Sequence, residues 1–244
     1  MRTDTELAAW PHLYRPGTGP VLLMLHGTGG SEIDMLGLSD EIDPAAAVIA
    51  PRGQVLEGGA LRWFRRLSEG VFDVDDVVFR AGSLAEFVGW AASAYDLSAR
   101  KIVAAGFSNG ANIALATGIL SPGLFDTTIA FSGMYPFGAR AMSTHPAGAP
   151  VGTASTGLDV SQDVAGSQDV AVSTELAAQR FVLLNGDSDP MAPVVSVDRL
   201  VAELTRTGAD VARHTRTGGH GITSDDLRIA RAAYRAAAAR GGGS

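Results

Sequence analysis

The stretch KIVAAGFSNGANIALATGIL, residues 101–120, reads as a buried strand, a tight turn and a helix. Ile102, Val103, Ala104 and Ala105 form a short apolar run, and Ala111, Ile113, Ala114 and Leu120 continue it at helical spacing. Between the two lies Gly106-Phe107-Ser108-Asn109-Gly110, a Gly-x-Ser-x-Gly pattern. The flanking glycines let strand and helix approach without a Cβ clash, and the central serine is pushed out on a sharp turn where its hydroxyl can act. The pattern alone is weak. Its place after a strand and before a helix gives it weight.

Outward from this stretch, apolar runs alternate with helical patterns. Val21 to His26, Ala47 to Ala50, Thr127 to Phe131, Phe181 to Leu184 and Val211 to Thr215 read as strands, and residues 9–16 as a short edge strand. Helices are expected around Ile33 to Leu38, from Asp75 to Tyr95, along Val197 to Leu204 and from Asp225 to Arg240. Such alternation implies an α/β fold with a mostly parallel sheet covered on both faces and chemistry at the carboxyl ends of the strands. With 244 residues, 46% hydrophobic and 18% charged, the chain suits one domain at 1–240, followed by a flexible tail or linker at 241–244. An insert at about 139–179 breaks the rhythm. It carries a doublet, Ser161-Gln162-Asp163-Val164 and Ser167-Gln168-Asp169-Val170, and its 141–179 part has no Lys, Arg, Phe, Tyr or Trp before Arg180. A solvated excursion is the expectation. The competing reading is a lid with Leu158, Val160, Val164, Val170 and Val172 on its underside.

Composition excludes several classes. A formal charge of -7 leaves no basic stripe for nucleic acid, and zero cysteines rule out disulfides, thiolate zinc sites and a cysteine nucleophile. Dispersed histidines give no metal-ligand spacing, so neither metal nor cofactor is expected. No signal-like leader and no 18-residue apolar run is present, from which a cytoplasmic protein without membrane insertion is expected. Composition does not distinguish a monomer from a homodimer.

A serine hydroxyl needs a base, and the base needs an acid to fix its tautomer. At the strand ends lie Asn185-Gly186-Asp187-Ser188-Asp189-Pro190 and Gly218-Gly219-His220-Gly221, which gives the chain order Ser108, Asp, His220. Asp187 and Asp189 compete as the acid. Pro190 biases Asp189 toward an extended backbone that projects its side chain, whereas Asp187 suits a turn. His12, His26, His145 and His214 read as structural or exposed.

Taken together, His26-Gly27-Thr28-Gly29-Gly30, Pro51-Arg52-Gly53, Trp63-Phe64, Gly106 to Gly110, Ser132-Gly133, Gly186 to Pro190 and Gly219-His220-Gly221 resemble, in order, the carboxylesterase, phospholipase and acyl-protein thioesterase branch of the α/β hydrolases. Within it, Pro51-Arg52-Gly53 and the stretch Trp63 to Asp76 look most like small bacterial esterases associated with hydroquinone resistance. The resemblance implies Asp189 as the acid and an acyl pocket lined by Trp63, Phe64, Met134, Tyr135 and Met191, residues that could equally be core. Mechanism and resemblance together assign the oxyanion donors to the backbone amides of Thr28 and Asn109. The expected activity is hydrolysis of a small-molecule carboxylic ester through an acyl-enzyme. The alternative is a ligand-binding or sensing protein whose triad is idle.

Overall fold

The computed structural model describes residues 2–68, 70–145, 169–173, 176–177 and 179–240. Its elements in chain order are α1 (Asp4–Ala8), β1 (His12–Arg15), β2 (Thr18–Leu25), α2 (Leu36–Ile42), β3 (Ala46–Pro51), β4 (Val55–Glu57), β5 (Ala60–Arg62), β6 (Arg66–Ser68), β7 (Val71–Phe72) and α3 (Val74–Ala94). There follow β8 (Ile102–Phe107), α4 (Asn109–Leu120), β9 (Thr127–Phe131), β10 (Met142–His145), β11 (Val170–Ser173), β12 (Arg180–Gly186), α5 (Val194–Arg206), β13 (Asp210–Arg216) and α6 (Ser224–Ala239).

Seven strands form one sheet in the order β1-β3-β2-β8-β9-β12-β13, with β1 antiparallel to β3 and every other pair parallel. The period-two alternation of the strands splits the core in two. Val21, Leu23 and Leu25 join Ala104, Ala130, Phe181 and Leu183 on the face covered by α3, α4 and α5, while Leu22, Met24, Val103, Ala105, Ile129, Phe131, Val182 and Leu184 meet α6 on the other. Because both faces are covered, the strands read as continuous apolar runs. Helix α4 is buried almost all round, which its alanine-rich sequence permits. Helix α3 starts at Asp73, whose carboxylate accepts from the Asp76 N–H, and α6 starts in a capping box between Thr223 and Asp226.

Three expectations are corrected. Helix α2 begins at Leu36, not near Ile33, because the N–H and hydroxyl of Ser31 both donate to the Asp34 carboxylate and hold a local turn in place of the first helical turn. Two small hairpins, β4-β5 and β6-β7, occupy a region where no strand was expected. The Gly58-Gly59 pair between β4 and β5, with φ of 59° and 83°, was a legible turn signal. The ends of the insert are not a solvated excursion: β10 and β11 pair in parallel, Met142 opposite Val170 and Thr144 opposite Val172. Met142, Val170, Val172 and Leu176 are buried in the α3–α5 core, as the alternation Val170-x-Val172 requires of a strand with one covered face. Leu158, Val160 and Val164 lie outside the described residues.

Candidate active site

Ser108 follows the last residue of β8 and precedes α4, in a backbone conformation of φ 54° and ψ −115° that side-chain-bearing residues rarely adopt. The turn is fixed by close approach. A Cβ on Gly106 would stand 2.3 Å from the Gly110 carbonyl oxygen, and one on Gly110 would stand 2.0 Å from that of Leu25. The Ser108 N–H donates to Phe131 O at 2.9 Å, and Ser108 O accepts from the Asn112 N–H at 3.0 Å, so neighbouring strand and helix both clamp the strained residue.

The carboxylate that meets His220 is Asp189. Its Oδ2 lies 2.8 Å from His220 Nδ1, while its Oδ1 accepts from the N–H groups of Met191 at 2.8 Å and Ala192 at 3.2 Å. With its side chain fully buried and both oxygens engaged, Asp189 is positioned as an acceptor. Asp187 is spent elsewhere, accepting from the Gly218 N–H at 3.0 Å to join the two loops. The other ring nitrogen of His220, Nε2, is buried without a hydrogen-bond partner, and the imidazole packs 5.0 Å from the ring of Phe107, the residue before Ser108.

Sequence reasoning missed Arg216, at the end of β13. Its guanidinium donates to the carbonyls of Gly219 and Gly221 on either side of His220 and is itself paired with Asp226 at 2.7 Å, so the helix cap of α6 and the histidine loop share one brace. The only sequence signal was an arginine a few residues ahead of a glycine-rich loop, which specifies no partner.

The loop after β2 is held from several sides. Among the described residues neither the Thr28 N–H nor the Asn109 N–H donates a hydrogen bond. Arg62 Nη1 donates to Thr28 Oγ1 at 2.9 Å, and Asn109 Oδ1 accepts from the Trp63 N–H at 2.7 Å, so adjoining residues 62 and 63 brace both segments. Asn109 also sits at the positive end of α4, where a developing anion is favoured. Both segments line a cleft of about 700 Å³ together with Ser108, Met134, Tyr135 and Met191. Trp63 and Phe64 do not line it, contrary to expectation. Trp63 is buried with its indole N–H donating to His26 O at 2.8 Å, and Phe64 packs edge-on against Phe72. Their aromatic surface is used in the core beneath the cleft. Phe72, Val195, Arg62, Arg66 and Arg199 line it instead. Burial pushes the Tyr135 hydroxyl up to about 12, so it stays a neutral donor, to Arg140 O at 2.9 Å. Among the described residues no group of three or more His, Cys, Asp or Glu side chains could hold a metal.

His26 is structural, as its sequence position suggested. Nδ1 lies 2.7 Å from the Gly27 carbonyl oxygen and Nε2 accepts from the Gly53 N–H at 2.9 Å, which fixes the Nδ1–H tautomer. Burial holds its pKa below the ordinary 6.5. The unfolded chain therefore takes up a proton before the folded one does. His26 should contribute stability in full above about pH 6.5, lost as pH falls from there through the lower folded value. Melting temperatures from pH 8 to 5 should show this slope in the wild type and less of it in His26→Gln; equal slopes would remove His26 as its source.

Comparison with known proteins places these features in a family context. Residues 17–164 match the sequence model of a family described as phospholipase/carboxylesterase. MhqD of Bacillus subtilis strain 168 is 35% identical over 227 residues, which cover 93% of this chain and 98% of that protein. A carboxylesterase of Bacillus cereus superposes with a TM-score of 0.75 at 30% identity, covering 97% of this chain and all 100% of the other. SOBER1 of Arabidopsis thaliana shares the fold at TM-score 0.66 and 14% identity, over 89% of this chain and 98% of that one. Among the described residues no helix is long and apolar enough to cross a membrane.

Proposed function

The chain belongs to the phospholipase/carboxylesterase family of α/β hydrolases, and from that premise we propose that it is a serine hydrolase of small or medium acyl and aryl carboxylic esters, acting through an acyl-enzyme on Ser108. The observation that carries this reading is the contact of the buried Asp189 carboxylate with His220 at 2.8 Å, which leaves the second imidazole nitrogen unpartnered beside the serine turn. A protein that only held a ligand would have no physical need of a base with an oriented tautomer.

In this mechanism Ser108 Oγ attacks the ester carbonyl while His220 Nε2 takes the hydroxyl proton. The carbonyl oxygen becomes an anion and is met by the free N–H groups of Thr28 and Asn109. Collapse breaks the bond to the alcohol, which leaves with the proton from His220, and the acyl group stays on Ser108. Water then attacks with its proton passing to His220, and collapse returns that proton to Ser108 as the carboxylic acid departs. Asp189 stabilises the imidazolium throughout without being protonated itself.

An acyl-enzyme makes a partition prediction. When 4-nitrophenyl and phenyl esters of one acid are hydrolysed in buffer with added methanol, the ratio of methyl ester to free acid should be the same for both, because both pass through one acyl-Ser108 species. A ratio that changes with the leaving group would replace the acyl-enzyme by direct attack of water.

A further inference from the structure

Among the described residues, the charged ones that line the cleft are Arg62, Arg66 and Arg199, and none of the described Asp or Glu residues lines it. This sign is opposite to that of the whole chain, whose formal charge is -7. Arg62 and Arg66 both meet Glu57, at 3.5 Å and 2.6 Å, a residue that does not line the cleft. Arg199 differs. Its Nη1 donates to Gly138 O at 2.5 Å and its Nη2 to Ala139 O at 3.1 Å and Arg140 O at 2.7 Å, while its guanidinium lies 4.3 Å from the centroid of the Tyr135 ring. All these partners are neutral. They fix the position of the cation and leave its charge in place.

The carboxylates beside it on α5, and the one paired with Arg140, are committed to other cations. Asp198, the preceding residue on α5, pairs with Arg213; Glu203, one turn on, pairs with Arg206; and Asp75 pairs with Arg140. Among the described residues no carboxylate comes within ion-pair distance of Arg199. A fixed cation in the wall of a cleft focuses a positive field on whatever enters it, and an anionic group gains a charge-assisted hydrogen bond there that a neutral one does not.

We propose that the cleft selects esters that carry a carboxylate, held by Arg199 while the ester carbonyl lies at Ser108. This rests on the hydrolase reading above and narrows its substrate class. The carboxylate could belong to the acyl part or to the alcohol part, and the test has an arm for each. The first compares mono-4-nitrophenyl adipate with 4-nitrophenyl hexanoate; the second compares 3-acetoxybenzoate with 3-acetoxybenzamide.

At low ionic strength, kcat/KM for the anionic member of at least one pair should exceed that of its neutral partner by about tenfold. The preference should shrink with added salt. In Arg199→Gln the anionic-to-neutral ratio should collapse toward one, and Arg199→Lys should restore part of it. Because each ratio compares two similar esters in one variant, a general loss of activity from a loosened Gly138–Arg140 wall cancels. A wild-type ratio near one for both pairs would overturn the proposal while leaving the hydrolase intact. So would a ratio that survives Arg199→Gln, since Arg199 would then brace the wall and nothing more. Turnover of neither member of either pair would overturn both readings.

Discussion

Ser108→Ala should lose ester turnover by a factor on the order of 10⁶ in kcat while its folded structure persists, because the hydroxyl carries the covalent step and contributes little packing. Ser108 occupies φ 54°, ψ −115° at the start of α4, where any Cβ is strained, so alanine inherits the strain and loses only the oxygen. Ser108→Gly sharpens the test. It should be equally inactive but unfold at a higher temperature than the wild type, since glycine adopts this backbone at little cost and relief of such strain is worth about 1–3 kcal/mol. Circular dichroism melts and steady-state hydrolysis of a 4-nitrophenyl ester measure the two effects. Retained turnover in either variant would move the nucleophile elsewhere.

Asp189→Asn should lower kcat on the order of 10⁴-fold, with substrate binding little altered. An asparagine there can keep Oδ1 on the N–H groups of Met191 and Ala192, which turns its amide N–H₂ toward His220 Nδ1. That geometry selects the tautomer with Nδ1 unprotonated and places a proton on Nε2, where the mechanism needs a lone pair. Asp187→Asn is the internal control. Its amide oxygen can still accept from the Gly218 N–H, so a loss of no more than a few-fold is expected. Equal losses in the two variants would show that joining the loops, not orienting the imidazole, is what the carboxylates do.

Much of the framework is legible in the sequence because it depends on local rules. The apolar runs of β2, β8, β9 and β12 mark strands covered on both faces, and the glycines of Gly106 to Gly110 mark a turn where backbones nearly touch. Of the two aspartates in the loop after β12, Asp189 meets the imidazole while Asp187 accepts from the Gly218 N–H. What resisted reading depends on contacts made at a distance. Whether an aromatic pair such as Trp63-Phe64 lines a cleft or fills the core beneath it is decided by which neighbours pack against it, here His26 and Phe72. The bracing by Arg216 and Arg62 is equally invisible, because an arginine at a strand end carries no local signature of the carbonyl or hydroxyl it will bond. The short strands of the insert were hidden by composition: polar, small-residue sequence surrounds a two-residue alternation, Val170 and Val172, that suffices once α4 supplies a surface to cover.

The central claim is that one serine, activated by one histidine, forms the covalent intermediate. A fluorophosphonate probe reports on this directly, because its phosphorus is attacked only by an activated nucleophile. The expected result is one adduct per chain, mapped by peptide mass spectrometry to the segment containing Ser108, absent in Ser108→Ala and formed far more slowly in His220→Ala. An adduct on another residue, or labelling of Ser108 at an unchanged rate when His220 is alanine, would contradict the account.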